Sequence, residues 1–484
     1  MKKLMFDDDV KSSLIRGTEL INRAVETTFG PKGRNVIIKN LGGVHVTKDG
    51  MTVASHVNSE DPFEQVAVDI IKELSQKTAK DVGDGTTTCV LLTYILVMLN
   101  KDKKDIVPGE LQRILQEDCA KVVKYLEAHK KEITTFDEIK KVATLSANND
   151  EKLGTLIAEA YNQVGKYGIV NIQESRQCED YYEVSKGMQL ENGYASPFFI
   201  NTKDNTCELD NVLVHITQDK IETNKQFLPL AEKAIKEGKS LLVVATDMDT
   251  FLQEAMIQNS REHRLDSCFV KMPHHGRFKD MFIEDVKRIL GTSMTCEKVI
   301  ITKDNTTFIG CHTDQDNEEY IKDIEHQLTF KELAPAEEKI YTKRLANFKG
   351  GICTIKVGGY SETEIREKKD RIEDAVCATK SALLYGILPG GGTSLLQAYK
   401  NVEVSDYFKD ALIYPFKTLC KNCNKDIKEN EITFDRVYNF KTEEFGDMID
   451  LGVIEPFMVT KTALENAVSA ASLILTSGCS IINM

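Results

Sequence analysis

No excess of basic residues runs through this sequence: 62 Lys and Arg stand against 75 Asp and Glu, a formal net charge of −13. Nucleic acids are held mainly by clustered positive charge, so a general nucleic-acid binder is excluded. Long hydrophobic runs are missing as well. The strongest, Val90 to Leu99, is interrupted by Thr93 and is about half the ~20 residues that a membrane span needs. It reads as a helix buried on all sides, and no membrane association is expected. The opening Met1-Lys-Lys-Leu-Met-Phe6 meets Asp7-Asp-Asp9 before the apolar centre of a targeting segment can form, so a cytoplasmic location is expected. Cysteine pairing is scarce too. Of 12 scattered cysteines, only Cys420 and Cys423 have CxxC spacing, with no second pair to complete a zinc site. Reduced thiols and no redox role follow. His263, His274 and His275 lack partners at metal spacing and are expected at the surface. There is no G-x-x-x-x-G-K-[ST], which disfavours a P-loop NTPase, and no internal repeat or low-complexity tract.

What is present describes a soluble globular chain: 41% apolar and 28% charged residues over 484 positions, enough for about three domains. Residues 1 to about 130 read as mainly helical, with helices at Leu14–Phe29, Phe63–Lys80, Thr86–Asn100 and Glu110–His129. Asn35–Lys39 and Val44–Thr47 form a hairpin among them. From Ile169 the texture changes to short β-branched runs at 168–172, 212–216, 241–245, 268–270 and 298–302. Between two of these, Phe227, Leu230, Ala231, Ala234 and Ile235 form one helical stripe closed by Gly238. Strands alternating with helices predict an α/β middle. After a strand at 353–357, helices return at 363–385, 393–400 and 461–476. The α, α/β, α order implies that both ends build one domain into which the middle is inserted.

Three glycine-containing turns stand out: Thr28-Phe-Gly-Pro-Lys-Gly-Arg34, Thr47-Lys-Asp-Gly50 and Gly83-Asp-Gly-Thr-Thr-Thr88. The last precedes a long apolar helix, so free N–H groups and the positive helix end coincide with three hydroxyls, a setting suited to phosphate oxygens. Asp84 beside a phosphate would need a cation between them, which makes it a candidate Mg²⁺ ligand. The alternative is plain N-capping. Gly390-Gly-Gly392 reads as turn punctuation on its own. Asp374 adjoins the buried stripe of its helix (Ile365, Ile372, Val376, Thr379, Leu383); it is either a solvated charge or a carboxylate that reaches a cleft.

These fragments occur in one order, together with Leu145-Ser-Ala-Asn148, Gly193-Tyr-Ala-Ser-Pro-Phe-Phe199, Arg371-Ile-Glu-Asp-Ala375 and Glu444 to Gly452. The set resembles the group I chaperonins over nearly the whole chain. Group II chaperonins share the first turns but carry a lid insertion for which there is no room here. The resemblance implies a chaperonin fold, multidomain α and α/β. A mainly helical equatorial domain would comprise 1–129 and 385–484, a small intermediate domain 130–186 and 353–384, and an inserted α/β apical domain 187–352. It implies an ATPase that binds non-native polypeptides and promotes their folding in a ring-shaped cavity. ATP and Mg²⁺ are the implied cofactors, with K⁺ a further candidate ion.

Carried over by position, the resemblance puts Thr28, Phe29, Gly30, Pro31 and Lys48 near the nucleotide phosphates, with Gly85, Thr86, Thr87 and Thr88 as the phosphate turn. Asp84 matches the metal ligand. Asp49 and Asp374 match the carboxylates that orient and activate water. Gly391 and Asn439 match contacts to the nucleoside. Asp374 would reach the site when the intermediate segment swings down. Tyr194, Phe198, Phe199, Leu228 and Ile257 match an apical groove for apolar clients, with ordinary core as the alternative for each.

There are departures. Phe440 and Lys441 replace paired alanines, with adenine stacking on Phe440 one consequence, and Glu455 replaces an aspartate. Charges at Lys101–Asp105 replace small ring–ring contacts, so a single heptameric ring is expected. Ala231, Gln253 and Gln258 thin the groove, which puts a co-chaperonin in question. A ring scaffold or holdase with weak or lost ATP turnover is the alternative function. A small-molecule kinase is the remaining class and lacks substrate-pocket chemistry.

Overall fold

The computed structural model describes residues 2–483 except 41–42, 104–105, 148–149, 176, 204, 274–275, 312–315 and 331–334. The tip of the first hairpin, His274, His275, Asn148 and part of the 101–105 charge run therefore lie outside the described residues. The chain divides into two compact units, Met1–Ala158 with Asp370–Met484, and Glu159–Lys369.

The first unit is built on helices Asp7–Glu26, Pro62–Val82, Thr86–Asn100, Pro108–Ala128 and Phe457–Thr476. The start of Pro62–Val82 has a local cause. Asp61 accepts the Phe63 N–H at 2.8 Å and Pro62 occupies the first turn, where its missing N–H costs nothing. Val10, Leu14, Ile21 and Val25 line one stripe of the first helix and are fully buried. Gly17 lets that helix approach the Pro62–Val82 helix at backbone distance, since a Cβ there would fall 2.2 Å from the Glu64 carbonyl oxygen. Thr86–Asn100 matches its expected bounds and is buried on most sides, against an alanine-rich partner (Ala463, Ala467, Ala470, Ala471) on Phe457–Thr476. Lys2–Phe6 pairs antiparallel with Cys479–Asn483, a ribbon the sequence did not announce. The helix Lys409–Cys423 also escaped notice, because Pro415 sits inside it.

The second unit carries a six-stranded mixed sheet. Ser267–Lys271, Ser240–Ala245 and Cys207–Ile216 run parallel, and Thr295–Ile301, Thr306–Cys311 and Gly187–Leu190 continue antiparallel. The expected strands are there, yet only half the sheet has the parallel α/β character read from the pattern. Leu241 to Ala245 is an unbroken buried run, as a strand covered on both faces requires. Helix Asn224–Glu237 buries Phe227, Ala231 and Ala234 and ends at Gly238 with φ +63°; Ile235, expected on the same stripe, is 57% exposed instead. A three-stranded sheet pairs Ile352–Val357 with Ile169–Glu174 and Tyr181–Ser185. Arg344 forks onto Asp285 at 2.7 and 3.0 Å and also meets the Tyr320 hydroxyl, which clamps three helices together. Multidomain architecture with helix-rich and sheet-rich parts is thus what the chain adopts. Among the described residues no helix is long and apolar enough to cross a membrane, and all 12 cysteines are free.

Candidate functional site

The three glycine-containing turns meet in the first unit. A Cβ on Gly50 would fall 2.0 Å from the Thr87 hydroxyl oxygen and 3.7 Å from that of Thr28, so one glycine brings the 28–34, 47–50 and 83–88 segments together. The first turn is held by its own backbone: Arg34 N–H donates to Thr27 at 2.7 Å and Gly33 N–H to Gly30 at 3.0 Å. Gly30 has φ +85°, and Leu419 fills the space its Cβ would need. Lys48 donates to the Pro31 carbonyl at 3.0 Å, which ties the second turn to the first.

Asp84 does not cap the helix that follows it. Gly85, at φ +87°, is the N-cap residue, and no side chain accepts from the first-turn N–H groups. Asp84 Oδ1 instead accepts the Gly85 N–H at 2.6 Å. The positive end of Thr86–Asn100 thus stays open to an anion. Asp49 is the reverse case. It caps Gly50–His56, with Oδ2 accepting the Thr52 N–H at 2.7 Å and Oδ1 the Met51 N–H at 3.4 Å.

These turns form one side of a cleft of about 620 Å³. Gly391 (φ +64°), Asn439, Phe440, Lys441 and Glu455 line its other side. Gly390-Gly-Gly392 is therefore more than punctuation: Gly392 has φ +73° and packs on the Phe416 backbone. Asn439 spends its side chain on the fold, donating to Leu451 O at 2.8 Å and accepting from Lys441 N and Thr442 N. Phe440 is 4% exposed. It walls the cleft as part of a core cluster, with its ring packed edge-on against Tyr438 and Phe416. Thr86 is buried and stands outside the lining, as do Asp49 and Asp374. Val142, Leu145, Ser146, Val453 and Ile454 also line the cleft and were missed as site residues. The signal was there in Leu145-Ser-Ala and Gly452, since Leu145 occupies the space a Cβ on Gly452 would take.

Negative charge accumulates at one end of the cleft. Asp374, one turn before the lining residue Ala378, has its pKa pushed up to about 6 by burial and by the fields of Asp84 and Asp49. Glu455 is pushed up to about 7 by burial and by Asp84. Asp84 is raised by burial against the partial relief of its Gly85 hydrogen bond. Asp84 and Asp374 reach solvent, but from a recess whose walls and like charges disfavour ionisation. Among the described residues no three metal-ligating groups are pre-assembled. Carboxylates that repel one another beside open helix N–H groups suit a cation bound together with an anion.

In the second unit, adjacent rings part company. Phe198 is 67% exposed beneath Arg261, 5.5 Å from its ring centre, whereas Phe199 is 4% exposed and belongs to the core. The short helical turn Pro197–Phe199 sends them to opposite sides, so Phe199 supports a surface rather than lining one. Leu228 is half exposed; Tyr194 and Ile257 are half-buried against the core. Phe251, 67% exposed, was not singled out by sequence. Gln253 donates to Met248 O at 2.8 Å and Gln258 to Glu262 at 3.0 Å, so both amides serve their own helix region.

A helical unit with a glycine-rich cleft, interrupted in sequence by a mixed-sheet unit, defines the class. Comparison with known proteins names the family. A profile of the TCP-1/cpn60 chaperonin family matches residues 21–260 and 277–483, and the chain belongs to that family. It is similar in fold to the chaperonin gp146 from the bacteriophage EL 2 (Pseudomonas aeruginosa), solved in the presence of ATP-BeFx in two crystal forms. The TM-scores are 0.76 and 0.73 at 23% and 24% identity, over 99% of both chains.

Proposed function

We propose that this chain is an ATP-driven chaperonin of the group I kind, which holds non-native polypeptides and releases them for folding in a ring-shaped cavity. The observation that carries the reading is the open N-terminus of Thr86–Asn100, where Asp84 leaves the first-turn N–H groups free and stands ready for a metal. Gly85, Thr87 and Thr88 would cradle phosphate oxygens, with Thr28 to Pro31 and Lys48 on the adjoining turns. Backbone at Gly391 and Asn439 would meet the nucleoside, Glu455 a ribose hydroxyl. Bound Mg²⁺ would supply charge neutralisation at the transferring phosphoryl group. Asp374, partly protonated near neutral pH, suits the orientation of water and acceptance of its proton. Asp49, fixed by its cap bonds, would orient rather than accept.

Asp374 stands just after the chain re-enters the first unit at Asp370. Movement of that segment would couple hydrolysis to rearrangement of the apical region, for which 187–352 is the proposed span, with 130–186 and 353–384 intermediate and the remainder equatorial. Phe198 and Leu228, with Tyr194 and Ile257 beside them, would offer apolar area to clients. Self-assembly has its own support: the Val36–Asn40/Gly43–Thr47 hairpin leaves Ile37, Val44 and Val46 exposed, and the terminal ribbon leaves Leu4, Phe6 and Ile481 exposed. Two-stranded ribbons are marginal alone and gain most from a second copy. A heptameric single ring with reduced need of a co-chaperonin is the assembly we propose.

The test is steady-state ATP hydrolysis with Asp374→Ala as control, joined to refolding of a denatured client without co-chaperonin. Mg²⁺-dependent turnover that Asp374→Ala loses, with nucleotide binding retained, is the expected result. Client binding without any turnover would favour the holdase, a reading that the internal commitment of the Asn439 side chain and the Asp49 carboxylate keeps in play.

A further inference from the structure

We propose that Gly83 and Cys377 together set how near Asp374 comes to Asp84, with Cys377 a positioning residue for hydrolysis; the inference rests on the ATPase reading above. Gly83 ends the Pro62–Val82 helix in the left-handed region at φ +79°, its N–H donating to Ala79 O at 2.8 Å, and Asp84 follows directly. A Cβ on Gly83 would fall 2.8 Å from the Cβ of Cys377 and 3.8 Å from its sulfur. The bare Cα of Gly83 is thus where the Glu362–Tyr385 helix rests on the turn that carries Asp84. Cys377 lies three residues after Asp374, on the same side of that helix. Cys377 is exposed beyond this contact, so it is volume branched at its Cβ, beside Gly83, that would lift the helix, and Asp374 with it, away from Asp84.

The two carboxylates already sense each other, since Asp84 is the foremost charge acting on Asp374. Cys377 acts through its size. Burial pushes its thiol up and the nearby Asp374 and Glu373 oppose a thiolate, so nucleophilic or redox chemistry is not what the position favours. The phosphate cradle at Thr28–Pro31 and Gly85–Thr88 does not include this contact. Water positioning and nucleotide binding should therefore separate in a kinetic experiment.

The experiment compares wild type, Asp374→Ala, and the graded series Cys377→Ala, Cys377→Ser, Cys377→Val and Cys377→Leu, reading kcat, KM for ATP and ADP affinity. Displacing a positioned group by about 1 Å costs on the order of 10²-fold. Cys377→Ala and Cys377→Ser keep the Cβ contact with Gly83 and serve as controls for folding and ADP affinity. Cys377→Val should lower kcat about 100-fold and Cys377→Leu, branched one carbon further out, should lower it less, with KM and ADP affinity within about twofold of wild type. If Cys377→Val does not fold, the smaller fall in Cys377→Leu carries the reading. Unchanged kcat in Val and Leu variants, or kcat and affinity falling together, overturns the inference. Absence of turnover in the wild type would instead remove the ATPase reading itself, and the two failures are thereby distinguished.

Discussion

Asp84 and Asp49 look alike in sequence, each an acid ahead of a helix, and the fold uses them in opposite ways. Asp49 caps; Asp84 leaves its helix uncapped and faces the cleft. Asp84→Asn should therefore leave the melting temperature unlowered while weakening Mg²⁺-dependent nucleotide binding about 10–100-fold, the range for losing a charged hydrogen-bond partner. Calorimetric titration with and without Mg²⁺ reads it; unaltered binding would return Asp84 to a purely local role. Asp49→Ala should show the other pattern, losing about 1 kcal/mol of stability with its cap. Protonation follows the same geometry. Glu455 titrates near 7 in the fold against about 4.3 in an unfolded chain. The unfolded state thus releases its proton first, and the contribution of Glu455 to stability falls as pH rises from about 4 to 7, then levels. Asp374 acts in the same direction, levelling near 6. Nucleotide-free Glu455→Gln should gain melting temperature over wild type progressively across that window. A constant offset from pH 4.5 to 7.5 would contradict it.

Among the elements, the 28–34 turn is tied to residues 440–443, of which Phe440, Lys441 and Thr442 line the same cleft. Glu443 accepts from both Lys32, on the 28–34 turn, and Lys425, and its carboxyl is held down to about 2 by these two ammonium groups. Glu443 itself sits at φ +64°, an uncommon conformation for a residue with a side chain. The pairs are exposed and their worth in stability is small; their position at the cleft rim matters more. Glu443→Gln should accelerate nucleotide release, and wild-type release should quicken with salt while the variant's responds less. Stopped-flow displacement of a fluorescent ADP analogue measures both, and equal salt dependence in the two proteins would dismiss the clasp. No motif points to Glu443, because the link to Lys32 spans over 400 positions. The phosphate turns were legible for the opposite reason: glycine and threonine at fixed spacing express a local need. What stayed hidden is the partnering of segments. Asn439 reads as a ligand contact until Leu451 claims its amide, and the packing of Phe440 against Tyr438 and Phe416 leaves no mark in the motifs.

For the whole molecule, the helices expected at 63–80, 86–100 and 110–129 were readable to within a few residues, whereas the first begins seven residues before its expected start and Phe136–Ser146, Thr250–Arg261 and Arg277–Leu290 were not singled out. Nor was Lys409–Cys423, since its proline argues against helix locally and burial of Leu412, Phe416 and Leu419 overrides it. The antiparallel half of the large sheet was equally hidden, because strand direction is decided by partners and not by composition. Assembly is the property no single chain displays. Ile37→Glu with Val46→Glu, at positions 71% and 53% exposed, should leave thermal stability almost unchanged and shift the particle mass toward monomer. Mass photometry reads the shift, and an intact oligomer would send the search for the subunit contact elsewhere. The pairing of residues 2–6 with 479–483, and the packing of Asp7–Glu26 beside Phe457–Thr476, has a consequence for manufacture. A ribosome delivers roughly 5–20 residues per second, so the first helices wait tens of seconds for the segments that cover them. Meanwhile the 159–369 unit, contiguous along the chain, has every residue it needs to fold. It is Thr86–Asn100, packed most against Phe457–Thr476, whose buried Val90, Leu92 and Leu96 stay uncovered throughout that wait. A member of a chaperonin family thus carries, during its own translation, apolar helix faces that are themselves without cover.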